Sequence, residues 1–123
     1  QMHQSHQSDM LFCDYKSNIK ALQWHSYEVT NLENNNDVTL IAPSNTTKYQ
    51  IFKYKNNAYG IQFHIEIKND TVSQWGCVPE YEKALNDSLG DGALNKFDAE
   101  AKSYMNNMNL NAEILYKNFK KIL

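Results

Sequence analysis

The sequence predicts an α/β fold, and three observations predict it. Short apolar runs bounded by turn residues crowd residues 19–64, and apolar residues at helical spacing dominate from about residue 69. Between them, Tyr59-Gly60-Ile61-Gln62-Phe63-His64-Ile65-Glu66 reads as a strand that carries a histidine and a carboxylate two residues apart. Strands first and helices last is the layout of the trailing half of an α/β sheet whose leading β-α-β units lie elsewhere. The 123 residues suffice for one domain with a modest core. The expected division is a lead-in over 1–9, a strand-rich part over 10–67 and helices over 68–123. The initial Gln1 hints at a piece of something longer.

Each element has its own signal. Met10-Leu11-Phe12 is a short apolar turn that plugs into the core. Ile19 to His25 is a strand candidate after the turn-prone Ser17-Asn18. Asn31 to Asp37 is a loop, because Asn and Asp accept turn geometry. Val38-Thr39-Leu40-Ile41-Ala42 is a buried strand closed by Pro43-Ser44-Asn45, and Tyr49 to Tyr54 is the next. Lys55-Asn56-Asn57 then makes a tight hairpin into Ala58 to His64. Four short strands result, partly antiparallel.

In the second half, Asn69 or Asp70 caps a helix carrying Val72 and Trp75. Pro79 suits a first helical position, with Glu80 and Glu82 in the first turn. Leu89-Gly90-Asp91-Gly92 breaks the chain. From about Asn95, residues Phe97, Ala101, Tyr104, Met105 and Met108 recur at helical spacing. A last helix is expected to bury Leu110, Ile114, Leu115, Phe119 and Ile122, with Lys117, Lys120 and Lys121 near its C-terminal end. These stripes, like Trp24 and Trp75, read as core.

Composition removes several function classes. The net charge is −2 and every basic residue is Lys, so the side chain that reads phosphates and bases in bidentate fashion is missing. Nucleic acid is not an expected partner. No run approaches the roughly 20 apolar residues that span a bilayer, so no membrane is expected either. Two cysteines, Cys13 and Cys77, form no dense framework, which points to a reducing cytoplasm, buried thiols and no disulfide between them. The Asn-x-Ser/Thr triplets at Asn45, Asn69 and Asn86 are expected by chance in so Asn-rich a chain. His3 and His6 in the polar lead-in do not make a closed metal site.

Side chains at i and i+2 of a strand share a face, so Glu66 can sit beside His64 and fix its tautomer. That pairing serves a nucleophile. The eight residues Tyr59 to Glu66 resemble the Y-G-x-Q-F-H-x-E motif of class I (triad-type) glutamine amidotransferases. Asp9-Met10-Leu11-Phe12 resembles the family's D-x-L-F turn, and Gln23-Trp24-His25 through Val29 its Q-W-H-x-x-x-V segment. The motifs also follow in the family's order, and the likeness runs from about residue 9 to nearly the end.

The resemblance implies the C-terminal half of a flavodoxin-like (Rossmann-like) three-layer domain, with a mixed sheet and C-terminal helices. His64 stands where the family has its triad base and Glu66 where it has the orienting acid. The implied reaction needs no cofactor: a thiolate attacks glutamine, ammonia leaves, and water releases glutamate. Glutamine is the implied substrate, with an ammonia-accepting synthetase domain or partner downstream, and the helical tail leans toward the GMP-synthase-like members.

The departures matter equally. The family nucleophile sits in a G-x-C-x-G elbow upstream, and neither Cys13 nor Cys77 has small neighbours of that kind. The chain alone is therefore expected to be inactive. Ile65 replaces the commoner Pro, and Ser26-Tyr27 replaces Gly-Asp. His25 reads as a capping or sheet-edge residue. Two other readings stand beside the fragment: a non-catalytic remnant or regulatory partner, and a small metal enzyme using His25, His64 and Glu66.

Overall fold

The structure is a computed structural model that describes residues 9–15 and 19–123. The expectations for residues 1–8, His3 and His6 among them, and for Ser17-Asn18 lie outside the described residues. Among the described residues three strands form: β1 (Val38–Ala42), β2 (Ile51–Tyr54) and β3 (Ala58–Ile61). Three helices follow: α1 (Thr71–Gly76), α2 (Pro79–Leu89) and α3 (Ala93–Ile122). No helix of the described residues is long and apolar enough to cross a membrane.

The strands lie in sequence order, β1 to β2 to β3, and both pairs are antiparallel. The mixed sheet is therefore corrected to an antiparallel one among the described residues. Short connections explain it, since a three-residue hairpin can only reverse the chain. Within that hairpin Gly60 faces Phe52 in register. A Cβ on Gly60 would come within 2.1 Å of the Phe52 ring, so the glycine of the Y-G-x-Q-F-H motif is the seat for an aromatic side chain.

The fourth strand expected over 19–25 is also corrected. That segment makes one antiparallel bridge, Leu22 to His64, with N–H···O bonds of 2.9 and 2.8 Å in the two directions. It goes no further because Trp24 turns into an aromatic cluster instead of continuing a ladder.

The core joins the two ends of the described chain. Leu11, Phe12 and Tyr15 are 2%, 0% and 2% exposed, although no regular element contains them. The Tyr15 hydroxyl donates to the Asn111 carbonyl at 2.6 Å, and burial pushes that phenol's pKa well up. Asn118 Nδ2 donates to the Leu11 carbonyl at 3.2 Å. Asp9 accepts from the Leu11 N–H at 2.9 Å and from the Tyr59 hydroxyl at 3.1 Å, and it pairs with Lys53 at 3.3 Å. The D-x-L-F turn is thus held by side chains from β2, β3 and α3.

Two expected C-terminal helices are one, α3, with 30 residues. Several Asn residues lower its propensity, but no Gly or Pro interrupts it. Ala101, Met105 and Met108 continue at three- and four-residue steps to Ala112, Leu115 and Ile122 on one packed face. That phase leaves Leu110 61% exposed, against expectation; Phe119 lies in phase with the stripe yet stays 43% exposed, and Asn118 is buried. Cys13 and Cys77 are likewise free and exposed instead of buried. One lies on the outer side of the 9–15 turn and the other at the end of α1.

α1 approaches α3 closely. A Cβ on Gly76 would meet the Leu94 side chain at 2.4 Å, and Val72 is buried beside it. Asp70 occupies the N-cap position, yet its carboxylate accepts from Gln74 Nε2 at 2.6 Å and not from a backbone N–H. Pro79 opens α2 as predicted, with Glu80 and Glu82 in the first turn.

Candidate active site

β3 ends at Ile61, and Gln62 follows it. Its N–H donates to the Gln50 carbonyl at 3.0 Å, and its Nε2 donates to the Tyr49 carbonyl at 2.8 Å. Its Oε1 accepts the Val29 N–H at 3.0 Å. Gln62 therefore clamps the 19–29 segment to the start of β2. Nothing but its place in a motif marks this residue in the sequence, because its partners are 13 and 33 residues away.

His64 and Glu66 follow this clamp, beyond the regular strand. The Leu22 bridge fixes the His64 backbone. His64 Nδ1 lies 2.7 Å from Glu66 Oε1, while Glu66 Oε2 accepts the Ile65 N–H at 2.9 Å. Phe63, Ile65 and Ile67 alternate with this pair and are all buried, so the period-two pattern persists without the ladder. The pairing expected from the sequence is present.

Its electrostatics follow from exposure. Partial burial pushes the Glu66 carboxyl up, but the hydrogen bonds from His64 and from the backbone N–H groups of Glu66 and Ile65 outweigh it. The net position is below the ordinary glutamate value, so Glu66 is ionised near neutrality. An Nδ1–H facing this carboxylate leaves Nε2 as the bare, basic nitrogen.

His64 opens onto a cleft of about 1040 Å³ shared by Trp24, His25, Tyr27, Thr46 and Trp75, with the inner face of α2 as the far wall. Neither cysteine is among its lining residues. His25 lies in the same cleft, but its Nδ1 is 2.8 Å from the Tyr27 carbonyl. Among the described residues no group of three His, Cys, Asp or Glu could hold a metal ion, so His25, His64 and Glu66 are not gathered as ligands.

The glutamine amidotransferase class-I family matches residues 1–74, more than half of the 123-residue chain. The chain belongs to that family. Comparison with curated proteins gives no match. The matched segment of this amidotransferase domain holds the 9–15 turn, the sheet, the Gln62 clamp and the His64–Glu66 pair. α2 and α3 lie outside it.

Proposed function

We propose that this chain is the C-terminal portion of a class I glutamine amidotransferase and supplies the base and the orienting acid of a Cys-His-Glu triad. The observation that carries this reading is the 2.7 Å contact of His64 Nδ1 with Glu66, in a histidine that lines an open cleft. In the proposed reaction Nε2 takes the proton of a cysteine thiol, and the thiolate attacks the side-chain carbonyl carbon of glutamine. His64 returns the proton to the departing nitrogen as ammonia leaves. It then deprotonates the water that hydrolyses the γ-glutamyl thioester, giving glutamate and regenerating the thiol. Glu66 stabilises the imidazolium formed in each step. The thiol comes from polypeptide other than residues 1–123, in a cytoplasmic, GMP-synthase-like protein that passes ammonia to a synthetase domain or partner.

A second reading has its own observation. Leu11, Tyr59, Ile61, Ile65, Leu115 and Phe119 border a largely apolar groove of about 370 Å³ that Glu66 also lines. A non-catalytic, partner-binding relative of the family would use such a face.

The test begins with the coding sequence before Gln1, read for a Gly-x-Cys-x-Gly turn. The joined polypeptide is expected to release ammonia from glutamine, and His64→Ala to lower that rate by roughly 10⁴-fold or more. Residues 1–123 alone are expected to release none. Ammonia release by this shorter chain that disappears in His64→Ala would place the nucleophile within it and sink the proposal.

A further inference from the structure

A catalytic imidazole must be fixed in three respects: where its backbone sits, which nitrogen carries the proton, and which way the ring plane faces. The Leu22 bridge settles the first and Glu66 the second. The third is unsettled by these two. The side chains of His64 and Glu66 are 35% and 65% exposed, and a polar contact this open to water holds a rotamer only weakly.

What faces the ring is Trp75, the first residue beyond the family match. Its indole meets the His64 ring edge-to-face, with centroids 5.2 Å apart and planes at 73°, inside the favourable range for such pairs. The indole is itself immobilised. Trp24 packs across it at 5.4 Å and 80°, and Phe97 of α3 packs across Trp24 at 5.5 Å and 61°. α1 cannot slide to release it, because Gly76 already lies against Leu94 and Val72 is buried. A continuous aromatic row therefore runs from the long helix to the base.

We propose that Trp75 is a positioning residue for His64: it confines the imidazole to the orientation in which Nδ1 faces Glu66 and Nε2 faces the cleft. The proposal rests on the triad reading and adds a residue outside the matched motifs. It also gives α1 and α3 a part in the chemistry, since Trp75 acts from α1 and is braced from α3.

Nitrogen-15 NMR of the histidine-labelled chain, at a pH well above the imidazole range, tests it. In the unaltered protein His64 should show an Nδ1–H tautomer and ring protons shifted upfield by the indole. Trp75→Ala should move both nitrogen shifts toward those of free, tautomer-averaged imidazole, while Trp75→Phe retains most of the wild-type signature. Circular dichroism of α3 checks that each variant is folded. If Trp75→Ala unfolds, Trp75→Leu, which fills much of the volume without a flat ring, is read in the same way. A folded Ala or Leu variant that keeps the wild-type tautomer overturns the proposal. Failure of the triad reading looks different: the unaltered chain would then show no Nδ1–H preference, and Glu66→Gln would change nothing.

Discussion

The turn at residues 9–15 and the helix α2 invert the usual relation between regularity and burial. The turn belongs to no helix or strand, yet Phe12 is fully buried and Leu11 and Tyr15 nearly so. α2 is eleven residues of regular helix in which none is buried. The turn is held by ties to residues up to 107 positions away. α2 is held by its own hydrogen-bond ladder and an apolar face turned to the cleft. Regular backbone satisfies polar groups locally, whereas stability comes from apolar area removed from water. In this molecule the two are carried by different segments.

Substitutions can break or sharpen that contrast. Phe12→Ala should have the largest effect, about 3–5 kcal/mol from the lost ring and the cavity it leaves. That is a large share of a typical domain's stability of about 5–15 kcal/mol, and denaturant melts would show it as loss of the cooperative transition or a much lower midpoint. Asn118→Leu removes the donor to the buried Leu11 carbonyl and should cost roughly 1–3 kcal/mol, measured in the same melts. A neutral result would mean that the Asn118 bond adds nothing to the burial and the other ties of the turn.

Acid should act more mildly. The Glu66 carboxyl lies below its ordinary value in the folded protein, so its contribution is complete above the unfolded-state pKa. It is lost as pH falls through the folded-state value. Melting temperature should therefore decline on the acid side of the ordinary carboxylate range, with a smaller slope in Glu66→Gln. Equal slopes in the two proteins would show that the His64 contact does not stabilise the fold. Smallest of all should be Leu89→Ala in α2, where the side chain is 64% exposed: a change within about 0.5 kcal/mol. A loss comparable to that of Phe12→Ala would abolish the contrast between the two segments.

The same contrast governs what was legible in the sequence. β1, β2 and β3 announce themselves as apolar runs between turn residues, and Pro79 and the Gly90-Asp91-Gly92 break bracket α2 correctly. The His64–Glu66 pair follows from a two-residue spacing that outlasts the strand proper. Less visible were the contacts that cross the chain. Asp9 reaches Tyr59, Tyr15 reaches Asn111, and Gln62 gathers Val29 and Tyr49. No local period encodes these. The false break within α3 arose because its asparagines weaken the helical pattern, although packing against Leu11 turns Asn118 into a core residue. Cysteine burial failed for a related reason: composition predicts a class average, and the outward side of a turn and the end of a short helix are exceptions to it.

The tie from Asn118 to Leu11 also sets a schedule. During synthesis the 9–15 turn and His64 both leave the ribosome before the helix that secures the turn. Contacts between distant positions form late because the intervening loop must first be closed. The segment that holds His64 is thus translated before its last tie and tightened only when the end of α3 emerges, so a ribosome that stalls before Asn118 leaves a chain that carries the His64–Glu66 pair without the Asn118–Leu11 bond.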